Sequence, residues 1–476
     1  MNTTNSQDSS ASLPPAPEPS FRPPGARASA GGNLRWLICG LLLFSTTINS
    51  LDKFVIGYLK DYFCSADGFG WSNSHFSYIT ISFTISWSVA TLLAGVVIDK
   101  IGSRLGLGIA VAIWSTFEIL NSFAGRHVVM HMITRSLLGV GEAGAFPGAL
   151  KTVAEWFPKK ERAFATGIFN TGASIGAMTA ALFVPWCLIH YGPALGWRLS
   201  LVYTGGIGFV WLIFWFLLGG VPAKLRGNRL SEAEYAYIHQ DDAGGAPSEK
   251  AAETPRGVSW FKLLTYRQTW AYSVGKFMTD GIWWFYLFWL PDYLHKQFHM
   301  TTEQVRWPTF IAWSAAIVGS LLGGRIPMFL MNKGWPLYKA RTTSMLLFAA
   351  LPMSAFFVQY FANVERFGDN ALVYVIALIC FALAAHQMWS ANLYTTPSDM
   401  FPKKAVASVS GIGIAAGGLG GATIQWLVGL LTDYFEGHGD THTAYTIMFV
   451  VAALAYLTAW VIFKVLVPRW KPVTDL

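Results

Sequence analysis

TVAEWFPKKERAFATGIFNTGASIG, residues 152–176, and TPSDMFPKKAVASVSGIGIAAGGLG, residues 396–420, are one pattern written twice. A shift of 244 residues lays Thr152, Glu155, Phe157, Pro158, Lys159, Lys160, Ala163, Gly167 and Gly176 on Thr396, Asp399, Phe401, Pro402, Lys403, Lys404, Ala407, Gly411 and Gly420. In each copy a polar turn around Phe-Pro-Lys-Lys joins two long apolar runs. A chain repeating such a unit is expected to form two pseudo-symmetric helical bundles that rock about a site near the bilayer midplane. The same shift places His386 at the repeat equivalent of Glu142.

Outward from the repeat, the composition is that of a membrane protein. The 476 residues are 53% hydrophobic and 13% charged, where soluble domains average about 25% charged. Apolar stretches long enough to cross about 30 Å of hydrocarbon as helix recur near 36–60, 75–98, 105–124, 129–150, 163–189, 200–220, 269–295, 306–330, 342–362, 371–395, 405–432 and 444–466. The expected fold is all-α and integral to the membrane, with twelve transmembrane helices in two six-helix bundles, 34–220 and 268–467. Residues 1–33, rich in Pro, Ser, Ala and Gly, are expected to be a disordered tail. The first span lacks a short apolar run with a small-residue cleavage site and is expected to be a retained anchor. A polar linker, 221–267, separates the halves; its stretch LSEAEYAYIHQ suits a short surface helix. Residues 468–476 form the second tail. Cys39, Cys187 and Cys380 fall in spans and Cys64 in an outer loop, a distribution that implies no disulfide framework.

Lysine and arginine set the orientation. With both termini in the cytoplasm, the cytoplasmic tails and loops hold 25 of them and the opposite side six, Lys60, Arg126, Arg198, Lys296, Arg306 and Arg366. The formal charge of +8 is therefore a topology signal whose partner is the lipid bilayer, and nucleic acid is not needed to explain it.

Four charges lie where hydrocarbon is expected: Asp52 and Lys53 in the first span, Arg135 and Glu142 in the fourth. A charge at the bilayer centre costs roughly 2.5–3.5 kcal/mol on insertion scales, so such residues usually face a cavity, pair, and handle ions or substrate. Arg135 and Glu142 are two helical turns apart and project from one face. Around them Gly139, Gly141, Gly144 and Gly148 allow close packing or substrate approach, and Pro147 loosens the helix. A structural ion pair is the competing role for Arg135 and Glu142, and snorkelling to the interface that for Asp52 and Lys53. Glu118, near the outer end of the third span, is expected to be wetted. No Walker glycine loop, His-Glu-any-any-His pair or nucleophile elbow occurs, so a transporter, not an enzyme, is expected. No cofactor or metal is expected, the proton being the coupling ion.

GVVIDKIGSR, residues 95–104, resembles the cytoplasmic loop signature of the major facilitator superfamily through Gly95, Asp99, Lys100, Gly102 and Arg104. Its glycines permit a tight turn, while Asp99 can pair in one state of a gating cycle. The partner copy, GRIPMFLMNKGW at 324–335, lacks the acid. Residues 135–177 are similar to the anion:cation symporters of that superfamily, and GKFMTDGIWWFYLFWLP (275–291) and AAHQMWSANLYTTPSDMFP (384–402) to its bacterial hexuronate transporters. This resemblance, covering residues 34 to 467, implies a monomer of the bacterial inner membrane that imports a sugar-acid anion with protons. Relatives read Asn, Tyr, any, Asp, Arg at the end of the first span; here the run is Asn49, Ser50, Leu51, Asp52, Lys53, and a bidentate fork becomes a point charge. Trp87 likewise stands where Tyr is usual.

The chemistry expected of such a site is a competition. Asp52 and Glu142 are the proton-coupling candidates, and Lys53 and Arg135 the candidates for the substrate carboxylate. Protonation of the acids frees the cations for the incoming anion, and their return expels the protons. For the sugar, His386, Trp389 and Ser390 share one face of the tenth span, with Gln387 beside them and Asn392 farther round. Lys276, Asp280 and Trp284 come from the seventh span, Trp87 from the second, and Asn170 and Thr171 from the fifth. His386 equally suits an interhelical hydrogen bond, Lys276 and Asp280 a local pair, and the tryptophans an interfacial belt. An exchanger or facilitator of organic anions, or a sensor that binds without transporting, are the alternatives.

Overall fold

A computed structural model describes residues 33–220, 222–240, 260–440, 442–469 and 473–474. The expectations for the tail 1–32 and for linker residues 241–259 lie outside the described residues, as do the side chains of Asp99, Lys159, Lys160, Lys403 and Lys404. Helices run in the order α1 (Leu34–Cys64), α2 (Asn73–Ile101), α3 (Ser103–Asn121), α4 (Val128–Glu142), α5 (Ala145–Trp156), α6 (Lys159–Tyr191) and α7 (Pro193–Leu218) in the first half. Short helices α8 (Pro222–Leu225), α9 (Glu232–Ile238) and α10 (Trp260–Leu263) lead to α11 (Arg267–Phe298) and α12 (Arg306–Asn332). The eighth span is α13 (Leu337–Ala350), a 3-10 segment Leu351–Phe357 and α14 (Val358–Phe361); α15 (Val364–Phe367), α16 (Asn370–Leu393), α17 (Thr396–Met400), α18 (Lys403–Glu436) and α19 (Thr443–Leu466) follow.

The sequence repeat is a repeat of backbone geometry. α5 ends at Trp156 and α6 begins at Lys159; 244 residues on, α17 ends at Met400 and α18 begins at Lys403. Phe157 and Phe401 are extended, as residues before proline must be, and Pro158 and Pro402 both take φ −63° to start the next helix. Gly102 between α2 and α3 has φ +87°, and Gly334 before α13 has φ +84°, so both matching loops turn on a residue without a Cβ.

Ten helices among the described residues are long and apolar enough to cross a membrane. The other two crossings are α11 and the pair α4–α5. α11 carries many polar and charged residues, and a break at Ala143 and Gly144, with Pro147 in the first turn of α5, divides the fourth crossing into two short helices. In the first half α1 packs on α6, α2 on α4, and α3 on α7; in the second, α11 packs on α18 and α12 on α16. Across the boundary α2 lies on α18, α6 on α12 and α1 on α11. α9 is docked rather than free: Glu234 is buried and accepts from the Arg35 backbone N–H at 3.1 Å and from its guanidinium at 3.2 Å, capping the start of α1.

Candidate functional site

Bare helix faces let α4 approach its neighbours closely. A Cβ on Gly139 would sit 2.8 Å from the Phe83 carbonyl of α2, and one on Gly141 2.7 Å from the Trp114 nitrogen of α3. The glycines around Arg135 and Glu142 thus serve helix packing. Arg135 and Glu142 both point inward and are 1% exposed, but they do not pair with each other.

Two separate ion pairs form instead. The Lys53 ammonium lies 3.2 Å from Glu142 Oε2, donates to Asn49 Oδ1 at 2.6 Å, and stands 5.6 Å from the Trp87 ring centroid. Arg135 Nη1 donates to the Asp52 backbone carbonyl at 3.1 Å and lies 3.7 Å from Glu118 Oε2. The Asp52 carboxylate is fully enclosed, beside Thr204 of α7, and neither oxygen accepts a well-formed hydrogen bond among the described residues. Glu118 is not wetted as expected: α3 packs between α4 and α7, which covers it completely. The sequence reading named it but gave it no role, and its signal is a carboxylate three residues before the end of a largely apolar α3.

From this cluster a ring wall leads into the second bundle. Trp87 meets Trp284 of α11 edge-on, with centroids 5.8 Å apart, and Phe83 does so at 6.1 Å. Two turns earlier on α11, Lys276 is buried, pairs with Asp280 at 2.6 Å and donates to the Tyr394 hydroxyl at 2.9 Å. His386 stacks on Trp283 at 4.7 Å and exchanges a hydrogen bond of 2.8 Å with the Tyr456 hydroxyl of α19. Trp389 is buried edge-on to Tyr456, and Ser390 is buried next to it. Asn392 is engaged in holding α16 to α12, its amide donating to the Gly323 carbonyl at 2.8 Å while Arg341 reaches its oxygen at 3.3 Å. Gln387 is half-buried; Asn170 and Thr171 are exposed on α6, and the Thr171 hydroxyl bonds back to Ile168.

The loop of residues 95–104 is clamped from α5. Lys151 donates to the Ile98 carbonyl at 3.1 Å, and the Ser103 hydroxyl to Glu155 at 2.5 Å. Arg104 ties the start of α3 to the Phe216 carbonyl at 2.7 Å, while Lys100 is exposed and Gly95 has open space around it.

A second charged cluster closes the opposite end of the molecule. Lys60 of α1, fully buried, lies 2.7 Å from Asp292 of α11 and 4.5 Å from the Trp289 ring. Asp292 also meets Lys296 at 3.2 Å and the Tyr445 hydroxyl, and Lys296 pairs with Glu436 of α18. Asp433 of α18 accepts from the backbone N–H groups of Asn73 and Ser74, at 2.7 and 2.8 Å, and so caps α2 from the other bundle. The two halves are locked together here.

Two helical bundles that enclose buried ion pairs and meet through aromatic rings and a charged end have the architecture of a membrane transporter. Residues 42–425 match the family described as Major Facilitator Superfamily, and the chain belongs to it. The hexuronate transporter of Escherichia coli strain K12 is 27% identical over 402 residues, 84% of this chain and 88% of that one. The D-galactonate transporter of Escherichia coli O6:H1 is 28% identical over 436 residues, 90% and 96% of the two chains. A bacterial homolog of the human lysosomal transporter Spinster, solved inward-facing and unoccupied, shares the fold with a TM-score of 0.70 at 17% identity, covering 93% of this chain and all of that one.

Proposed function

We propose that this protein is a proton-coupled symporter, monomeric in a bacterial inner membrane with both termini cytoplasmic, that imports a sugar-acid anion, in first place a hexuronate. The observation that carries the reading is the Lys53–Glu142 pair: a largely buried ammonium, on the face that meets α11, neutralised by a carboxylate a proton can discharge. The names of the similar transporters, hexuronate and D-galactonate, supply the substrate class.

With the Lys60–Asp292 end open to the periplasm, Asp52 and Glu142 take up protons, and Lys53 and Arg135 turn from internal partners to the substrate carboxylate. Trp87 and Trp284 flank the sugar, and Lys276, Asp280, His386, Gln387, Ser390, Asn170 and Thr171 offer groups for its hydroxyls. Trp389 and Asn392, held where α16 packs on its neighbours, would act by positioning that face. After closure, release to the cytoplasm lets the cations return and the protons leave. Anion and protons are coupled because substrate and carboxylates compete for the same two cations.

Proteoliposome uptake of labelled sugar acids, with and without an inward proton gradient, tests this. Accumulation of a hexuronate only with the gradient is expected. Equal uptake without it would make the protein an exchanger or facilitator, and binding without uptake a sensor. An Asp52→Asn, Glu142→Gln double variant that still accumulates substrate would overturn the coupling scheme.

A further inference from the structure

The charge cluster shared by α1, α3 and α4 buries one more acid than its own cations can neutralise. Glu118 is fully enclosed, neither of its oxygens has a hydrogen-bond partner among the described residues, and its nearest cation, Arg135 Nη1, stands at 3.7 Å, beyond hydrogen-bond length. The charged groups around it are Arg135 and Glu142 from α4 and Asp52 from α1, while α7 contributes the Thr204 hydroxyl beside Asp52. With Lys53 the enclosed set comprises three acids, Asp52, Glu118 and Glu142, and two bases, Lys53 and Arg135. Fully ionised, it would hold a surplus negative charge out of water, which low dielectric strongly disfavours; one bound proton removes it. A substrate carboxylate adds a further negative charge and requires a second proton.

Glu118 is placed to share that load. Its one cation is the guanidinium that the substrate would draw away. Polar atoms lead from it toward the Lys60 end: Asn121, one turn on, accepts from Thr134 at 2.9 Å and has a buried amide nitrogen without a partner, as does His131 Nδ1 one turn before Arg135. We propose that Glu118 is a third proton-binding carboxylate of the transporter, discharging when Arg135 turns to the substrate. The proton adds to a Glu118 oxygen from the Lys60 side as the ion pair with Arg135 parts, and leaves when the guanidinium returns; only that O–H bond is made and broken. This inference rests on the proton-coupled reading above.

The test compares gradient-driven accumulation with counterflow of labelled hexuronate in proteoliposomes holding the full chain, across a series of external pH values. Glu118→Gln is expected to lower the ratio of accumulation to counterflow at least about tenfold and to flatten its pH profile, whereas Glu118→Asp recovers most of the ratio with a displaced profile. A Gln variant with the wild-type ratio and profile would mean that Glu118 only braces Arg135, and would overturn the inference alone. If the Gln variant does not fold, an Asp variant with an unshifted profile does the same. A wild type without gradient-driven accumulation overturns both this inference and the function on which it rests.

Discussion

Lys53 and Glu142 are 89 positions apart in the chain and 3.2 Å apart in the fold, with 15% and 0% of their side chains exposed. Removing one partner of such a pair strands the other charge in low dielectric, at a cost of about 3–5 kcal/mol, while replacing both is often nearly neutral. Lys53→Met should therefore lower the unfolding midpoint of the purified protein markedly, and Lys53→Met combined with Glu142→Gln should recover most of the loss. Additive effects of the two substitutions would show that the pair does not interact. The sequence marked Asp52, Lys53, Arg135 and Glu142 because charge in an apolar run is conspicuous. It could not say that Arg135 turns to Glu118 and leaves Glu142 to Lys53, since partner choice depends on helix rotation and crossing. Glu118 escaped because hydropathy places a residue along the membrane normal but not around the helix.

Among helices, the repeat was legible as a pattern, but the separate tasks of its glycines were not. Gly176 presses against α1 at the Thr47 carbonyl, with Ser50 and Leu51 also within 3 Å of a would-be Cβ; Gly420 presses in the same way on α11 at Phe277. Gly167, marked equally by the repeat, has open space around it. Gly176→Ala should thus cost about 1–3 kcal/mol through overpacking. Gly167→Ala should be neutral or stabilise by up to about 1 kcal/mol, the helix-propensity gain of alanine. Thermal unfolding of both variants in one detergent checks the contrast, and equal effects would refute the packing role. The break between α4 and α5 was foreshadowed by Pro147, whereas the clamp of Lys151 and Glu155 on the turn of residues 95–104 depends on a meeting of three helices that no local spacing records.

At the scale of the molecule, opening the Lys60 end means parting Lys60 from Asp292 and the start of α2 from Asp433, contacts made across the two halves. Lys60 and the start of α2 belong to the first half; Asp292, Lys296, Asp433 and Glu436 belong to the second. The sequence placed Lys60 and Lys296 on the same side of the membrane but offered no reason to join them, because the carboxylate they share, Asp292, is brought to Lys60 only by the packing of α1 on α11. While the end is closed the cluster is balanced by contact, and parting it requires water to replace each partner. Asp292→Asn leaves the Lys60 ammonium buried without its counter-charge, which penalises the closed form and not the open one. Cys64 reports this directly: it ends α1, is half-buried, and lies in the field of Lys60, Asp292, Lys296 and Glu436. A charged, membrane-impermeant maleimide should alkylate Cys64 at least about tenfold faster in Asp292→Asn than in wild type, since the roughly 3–5 kcal/mol of a stranded buried charge acts on one side of the equilibrium. An alkylation rate unmoved by Asp292→Asn would mean that packing of α1 on α11 and of α2 on α18 keeps this end shut, with the charges merely tolerated there.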